Sequence, residues 1–408
     1  MKTTIVIPTY WRGPASEAPV CSLESDFIFD HATPLDSEGT LGRALDSLAI
    51  LKPSERDDFA VAIVAASTRV EIKQAVELRV QSIIAQYDYD FPLLMIGPDE
   101  LVSWRRRLAS SGMSEFDEFL SLDGYSNIRN MCLLAAILTG ADAAILFDDD
   151  QVFEDPEDLR KATEFIGREH EGQPVTGIAG YYVNPGGSVF LPPAELPWQR
   201  IWGNREAMNE ALKMIGEGPR LKRTPFVFGG NMAVHRSLFE KVPFDPAVPR
   251  GEDIDYLLNA RFLGYDFLLD NELWIRHLPP PKCAPPWFQM RQDIIRFARE
   301  RAKLATQHDF DGVKHVNAVD LDPYPGRFLK DDLHDLVMES SMEMASQYIE
   351  AGMDEDAREC IVNIAISKAE SRVTGDPFGE YLAFQRRWEE FVRVLPALGI
   401  WSPVDSTD

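Results

Sequence analysis

The sequence predicts an α/β protein: a doubly wound, mostly parallel, Rossmann-like sheet followed by a C-terminal all-helical extension. Three observations carry this. Apolar, β-branched runs alternate with helical patterns through the first part of the chain. The run Ala143–Asp150, AAILFDDD, passes from apolar residues straight into three carboxylates. A central parallel strand that ends at a ligand-bearing edge reads this way. Finally, Pro279–Pro281, with Pro285 and Pro286 close behind, is followed by sequence of helical period alone.

In chain order, Thr4–Pro8 is a β-branched strand that stops at a proline. A long polar loop runs from Thr9 to about Gly39 and contains Asp30-His31-Ala32-Thr33-Pro34-Leu35-Asp36. Thr40–Leu51 has Leu41, Leu45, Leu48 and Ala49 on one helical face. A strand over Phe59–Ala65, a helix over Arg69–Gln86 and a short strand over Phe91–Ile96 follow. Ser126–Leu138 is a helix with Ile128, Cys132, Ala135 and Ala136 inward, and it leads into the acidic strand. Asp155-Pro156 opens a helix predicted to reach about His170. Val175–Val183 and Phe226–Val234 are strands, with a long irregular stretch from Asn184 to Pro225 between them. Glu252–Leu263 is a helix, and Tyr265–Leu269 a short strand before Trp274-Ile275-Arg276-His277. Beyond the prolines, helices are predicted at Trp287–Leu304, Leu329–Ala351, Asp354–Arg372 and Phe378–Val394. The boundary divides the chain into an α/β unit, 1–284, and a helical region, 285–408.

Composition excludes several classes. A 408-residue chain with 45% hydrophobic and 26% charged residues is ordinary globular composition. A net charge of -25 argues against nucleic acid and anionic membranes as partners. No run is long and apolar enough to span a bilayer, and Ile5-Val6-Ile7 is too short for a signal segment. Cys21, Cys132, Cys283 and Cys360 are scattered, which excludes a zinc ribbon and points to the cytoplasm.

The chemistry starts at Asp148, Asp149 and Asp150. Packed together, three carboxylates repel, and burial would push their pKa values up. A cation relieves this, and hard oxygen ligands at such an edge suit Mg2+ or Mn2+ holding a phosphate-bearing ligand. Four further features align with the acids. Ser126-Asn127-Ile128-Arg129-Asn130 opens a helix, a place for phosphates. Gly229-Gly230-Asn231 lets a ligand approach the backbone. Glu252-Asp253-Ile254-Asp255 starts a helix with more acids than its dipole needs, which leaves Asp253 for general-base work. His277 can complete a metal shell begun by carboxylates. Each feature alone has an ordinary structural explanation as a cap, a turn or a core histidine. Their order is the argument.

That order resembles the nucleotide-sugar-dependent glycosyltransferases of the GT-A fold, family 2 in particular, over Lys2–Leu278. The family's opening V-I-P-T-Y matches Val6–Tyr10, and the resemblance implies that Pro8, Thr9 and Tyr10 line the donor site. Its arginine-asparagine pair matches Arg129 and Asn130. Its D-x-D motif, which binds cation and diphosphate, matches Asp148, Asp149 and Asp150. Gly230, Asn231 and Glu252 fall at further donor positions. Its catalytic base matches Asp253, and its late histidine matches His277, so the implied metal ligands are Asp148, Asp150 and His277. The implied reaction is metal-dependent transfer of a sugar from a nucleotide-diphosphate sugar to a hydroxyl of a small-molecule or glycan acceptor. One displacement with one base would invert the anomeric carbon.

The chain departs from the family in three places. Val64-Ala65-Ala66-Ser67-Thr68 lacks the acid that recognises uracil, so UDP and GDP donors both stay open. The insertion between Tyr10 and Thr40 is long, and the tail from Trp287 resembles no named family. Trp198 and Trp202 could stack on an acceptor sugar or hinge a loop. Arg105, Arg106 and Arg107 could meet an anionic acceptor or form an exposed patch. The apolar stripes of the tail leave a homo-oligomer contact open. Two other readings compete: a sugar nucleotidyltransferase, whose glycine-rich loop is missing from Pro8–Arg12, and a non-catalytic nucleotide-sugar-binding protein.

Overall fold

A computed structural model describes residues 1–15, 27–52, 58–89, 91–282 and 284–399. Part of the predicted first loop, and Cys21 and Cys283, lie outside them. The strands are β1 Lys2–Arg12, β2 Thr33–Pro34, β3 Asp58–Ser67, β4 Leu93–Ile96, β5 Ala143–Phe147, β6 Gln151–Val152, β7 Glu169–His170, β8 Gln173–Pro174, β9 Gly177–Val183, β10 Leu221–Arg223, β11 Asn231–His235 and β12 Phe267–His277. The α-helices are α1 Leu41–Leu48, α2 Lys73–Ile84, α3 Pro98–Ser110, α4 Tyr125–Leu138, α5 Asp158–Thr163, α6 Pro197–Trp202, α7 Asn204–Leu212, α8 Arg236–Phe239, α9 Glu252–Phe262, α10 Pro286–Ala305, α11 Leu333–Glu350, α12 Asp354–Glu370 and α13 Pro377–Val394.

One mixed, mostly parallel sheet organises the molecule, in the order β10-β12-β9-β11-β5-β1-β3-β4. Strands β4, β3, β1 and β5 are parallel, and β11 enters antiparallel between β5 and β9. The chain winds outward from β1 through β3 to β4, then crosses to β5 on the other side of β1. Such a switch point opens a crevice at the carboxyl ends of the strands. β1 runs on through Pro8 to Arg12, beyond the predicted stop. Past Val6 it pairs with β3 but no longer with β5, so one side is a free edge, where proline is tolerated, until β2 pairs with Trp11 and Arg12.

Apolar side chains fill both faces of the sheet. Val6, Val64 and Leu146 point to the face covered by α4, and Ile5, Ile63 and Ile145 to the face covered by α1 and α2. Strand alternation accounts for the split.

Four local readings are corrected. The helix predicted from Pro156 to His170 ends at Thr163. Gly167, Glu171 and Gly172 take positive φ and turn the chain into the β7–β8 hairpin. α3 was missed, although Pro98 sits at its first turn and Glu100 accepts the Gly97 N–H at 2.9 Å. It buries Leu101, Trp104 and Leu108, while Arg105 bonds the Leu120 carbonyl and Arg107 that of Gly399. The stretch Asn184–Pro225 holds α6, α7 and β10 and is not irregular throughout. Trp202 there is 1% exposed and packs on Phe328 and Phe297, so it cannot stack on a sugar. The last two predicted strands are one, β12, with a shift of register between Leu269 and Trp274.

The helical region packs on the sheet side through polar as well as apolar contacts. Lys303 of α10 reaches Asp255 and Asn259 of α9 and Asp245. Tyr381 and Trp388 of α13 donate to the carbonyls of Pro243 and Phe239 at 3.1 Å each. The apolar cluster on the α4 face continues from Val6 to Trp388 and Phe391. No helix among the described residues is long and apolar enough to cross a membrane. Cys132 and Cys360 are free and buried.

Asp158, at the start of α5, is 1% exposed, and both its carboxylate oxygens lack a partner. Burial, with Asp155 adding to it, pushes its pKa up from 3.8 to about 7. The folded state therefore holds a proton that the unfolded state releases. Stability falls as pH rises between these two values, by at most about 1.4 kcal/mol per pH unit. Asp158→Asn is expected to raise stability near pH 8 and to change it little near pH 4, read by denaturant unfolding at both pH values. Equal effects at the two would show that Asp158 stays charged in the fold.

Candidate active site

The three acids emerge at the switch point, where the apolar run of β5 stops. Past Phe147 the chain turns, and the three acids point to different partners, so they do not act as one group. Asp148 turns to the α4 face. Its carboxylate receives Arg129 Nη1 at 2.7 Å and Nη2 at 3.1 Å, and Arg129 Nε donates to Glu252 at 3.0 Å. Arg129 is 4% exposed. Burial pushes the Glu252 carboxyl up, and Arg129 pulls against it. Every nitrogen of the guanidinium is thus committed to an acid. Arg129, expected at the donor phosphates, here clamps the end of β5 to the start of α9. Gly229 and Gly230 make the clamp possible. A Cβ on Gly229 would fall 2.6 Å from Arg129 Nη2, and one on Gly230 would fall 2.5 Å from Asp148 Oδ2.

Asp149 points the other way. It is 5% exposed and accepts the Thr9 hydroxyl at 2.6 Å, while Thr9 accepts Trp11 Nε1 at 2.9 Å. Burial, with Asp150 beside it, pushes its pKa up to about 8. Asp149 and Thr9 tie β1 to β5 beneath the site, where the resemblance had them touching the donor.

Asp150 faces His277, with Oδ2 at 3.3 Å from Nε2. β12 delivers this contact, because its irregularity lets Arg276 and His277 pair with Val152 and Gln151 just past the acids. Tyr182 stacks beside His277 at 4.7 Å between ring centroids, and its hydroxyl accepts the Gly230 N–H at 2.9 Å. Among the described residues, no three His, Cys, Asp or Glu side chains gather tightly enough to hold a metal alone. Of the expected trio, Asp150 and His277 face each other, while Asp148 is paired with Arg129.

Of the acids that open α9, Glu252 is held by Arg129 and Asp255 by Lys303 and Asn259 in the core. Asp253 alone is half-exposed. Its Oδ2 accepts the Gly229 N–H at 2.9 Å and its Oδ1 the Ile254 N–H at 2.8 Å, which fixes its orientation. Several expected donor residues face away. Asn130 spends its amide on the backbone of Phe244, as donor at 2.9 Å and acceptor at 2.8 Å. Asn231 donates to the Tyr181 carbonyl at 3.0 Å, and Pro8 is buried in β1. The Tyr10 hydroxyl is buried without a hydrogen-bond partner, and burial pushes its pKa up, with Arg129 pulling against it.

Sequence reasoning also missed what covers the site. Asp30 pairs with Arg250 at 3.0 Å and Lys282 at 2.9 Å, and Arg250 reaches on to Asp293 of α10 at 2.9 Å. His31 Nδ1 donates to the Pro280 carbonyl at 2.7 Å, and its ring lies 6.3 Å from that of His277. These contacts pin the first loop beside the Asp150–His277 pair. Tyr182, an aromatic in a strand, gave no sequence signal. The Asp30-His31 pair was visible but had no partner in view.

No family model matches the chain, and no curated protein matches it. Among solved structures it is similar to a mannosyltransferase from Pyrobaculum calidifontis in complex with GDP-Man and Mn2+. That match has 13% identity and a TM-score of 0.41, and covers 99% of this chain and 87% of that one. It is similar to glucosyl-3-phosphoglycerate synthase from Mycobacterium tuberculosis with Mg2+ and UDP at 13% identity and a TM-score of 0.36, covering 72% and 77%. It is also similar to GalNAc-T7 with UDP, GalNAc and Mn2+ at 13% identity and a TM-score of 0.38, covering 74% and 51%. These likenesses are remote.

Proposed function

We propose that this protein is a metal-dependent glycosyltransferase, moving a sugar from a nucleotide-diphosphate donor to an acceptor hydroxyl. One observation carries the reading: at the carboxyl end of the sheet, Gly229, Gly230 and Tyr182 link two separate acidic devices, the Asp150–His277 pair and the oriented, half-exposed Asp253. Glycosyl transfer needs two such devices, one for the leaving diphosphate and one for the attacking hydroxyl.

One carboxylate and one imidazole suit Mn2+ or Mg2+ when substrate phosphates and water supply the other ligands, which is how these ions are usually bound. A cation held there would act as a Lewis acid on the diphosphate. The chain's own residues do the rest. Arg129 neutralises Asp148 and Glu252 and so keeps the crevice from repelling an anionic donor. Asp253, steadied by two backbone N–H groups, takes the proton of the acceptor hydroxyl. A single displacement with this base inverts the anomeric carbon.

The test is turnover of a panel of UDP- and GDP-sugars with Mn2+ and with chelator. Metal-dependent release of nucleoside diphosphate supports the reading. Nucleotide-sugar synthesis from a sugar phosphate and a nucleoside triphosphate, or binding without turnover across acceptors, overturns it.

A further inference from the structure

We infer that Arg12 reads the base of the donor and that this base is guanine; the inference rests on the donor-site reading above. Arg12 ends β1 at the carboxyl edge of the sheet, where Trp11 pairs with Ser67 of β3. It is 9% exposed, and its Nε is buried without a hydrogen-bond partner. The other deeply buried arginines have partners for their guanidinium groups. Arg129 is held by Asp148 and Glu252 and Arg261 by Asp266 and two carbonyls, and Arg296, whose Nε also lacks a hydrogen bond, is held through its terminal nitrogens by Tyr324 with Asp293 nearby. Among the described residues, no acid or carbonyl meets the Arg12 side chain. A buried guanidinium left unpaired is costly, so its place in the fold implies an acceptor that arrives with a ligand.

The position selects the ligand group. Arg12 leaves the strand on the same face as Tyr10, the α4 face that also carries Arg129 and Asp148. Phosphates belong at the Asp150–His277 end of the crevice. The nucleoside then extends along the carboxyl edge toward β1 and β3. Tyr10, Phe29 and Tyr125 cluster on this face, with ring centroids 4.6 to 5.2 Å apart. The edge of β3, Val64–Thr68, contains no carboxylate to accept from the N3–H of uracil. The unmet groups on the Arg12 side are donors. Guanine offers two acceptors side by side, O6 and N7, and the planar fork of arginine matches them with two bonds.

The experiment is calorimetric titration of the full chain, with Mn2+, by GDP, UDP and 7-deaza-GDP, for the wild type, Arg12→Lys and Arg12→Met. Expected is a preference for GDP over UDP of about tenfold or more, with 7-deaza-GDP weakened because it lacks the N7 acceptor. Arg12→Lys keeps the charge but not the fork and should lose most of that preference, and Arg12→Met all of it. The 7-deaza comparison uses the wild-type protein and so survives a variant that fails to fold. UDP binding as tightly as GDP, or 7-deaza-GDP as tightly as GDP, overturns the role of Arg12 and leaves the donor site standing. Equal weakening of GDP and UDP by Arg12→Met also overturns it, since Arg12 then serves a phosphate or the fold. Failure of every nucleoside diphosphate to bind overturns the donor-site reading itself.

Discussion

Asp253→Asn is expected to lower turnover by about 10²–10⁴-fold, the usual range for loss of a general base, with donor affinity close to that of the wild type. The asymmetry follows from the geometry. Among the described residues, the Asp253 carboxylate accepts hydrogen bonds from the backbone N–H groups of Gly229 and Ile254 alone. An asparagine oxygen can still accept one of these bonds, so α9 keeps its start and the Arg129 clamp is not touched. The substitution removes the basic lone pair and little else. Its neighbours predict different outcomes. Glu252→Gln weakens the Arg129 clamp and should affect donor binding and stability together. Asp255→Asn leaves the buried Lys303 short of a partner and should act on stability. Kinetics with saturating donor, paired with donor titration, separate the three. Near-normal turnover by Asp253→Asn would reduce Asp253 to a helix-start acid and move the base elsewhere.

How much was legible follows from how local each signal is. The acidic strand could be read because five apolar residues before three acids need only one strand's worth of context. The tail helices could be read because periodicity is a local property, and α10 to α13 fall within a few residues of their predicted spans. α3 was lost because Arg105-Arg106-Arg107 masks the spacing of Leu101, Trp104 and Leu108. The roles inside the triple acid were not legible either. They depend on partners far away in the chain: Asp148 and Glu252 meet through Arg129, Asp149 meets Thr9, and Asp150 meets His277. Sequence order shows that these residues exist, while the direction each one takes is decided by the turn after β5 and the shift of register in β12. The backbone partners of Asn130 and Asn231 were illegible for the same reason, since a buried amide takes whichever backbone lies opposite it. Arg12 left a trace only in an absence, the missing acid at the end of β3.

Asp150→Ala is expected to abolish the Mn2+-dependent part of donor binding while leaving the fold intact. Asp150 is 6% exposed; its side chain meets His277 at the end of β12, and its backbone carbonyl accepts the Leu278 N–H just beyond at 2.8 Å. Alanine keeps that carbonyl. The loss should therefore appear in ligand linkage and not in the stability of the free protein. A ligand that binds only the folded state raises the melting temperature in proportion to RT ln(1 + [L]/Kd), so the thermal shift by donor with and without Mn2+ reads the effect directly. His277→Ala should reproduce it. The double variant is the sharper test. If both side chains hold one ion, either single change already removes the site, and the second adds almost nothing. If they act separately, their effects add, as they do for independent sites. Additive losses, or an Asp150→Ala protein that still binds donor more tightly with Mn2+, would place the cation elsewhere in the crevice.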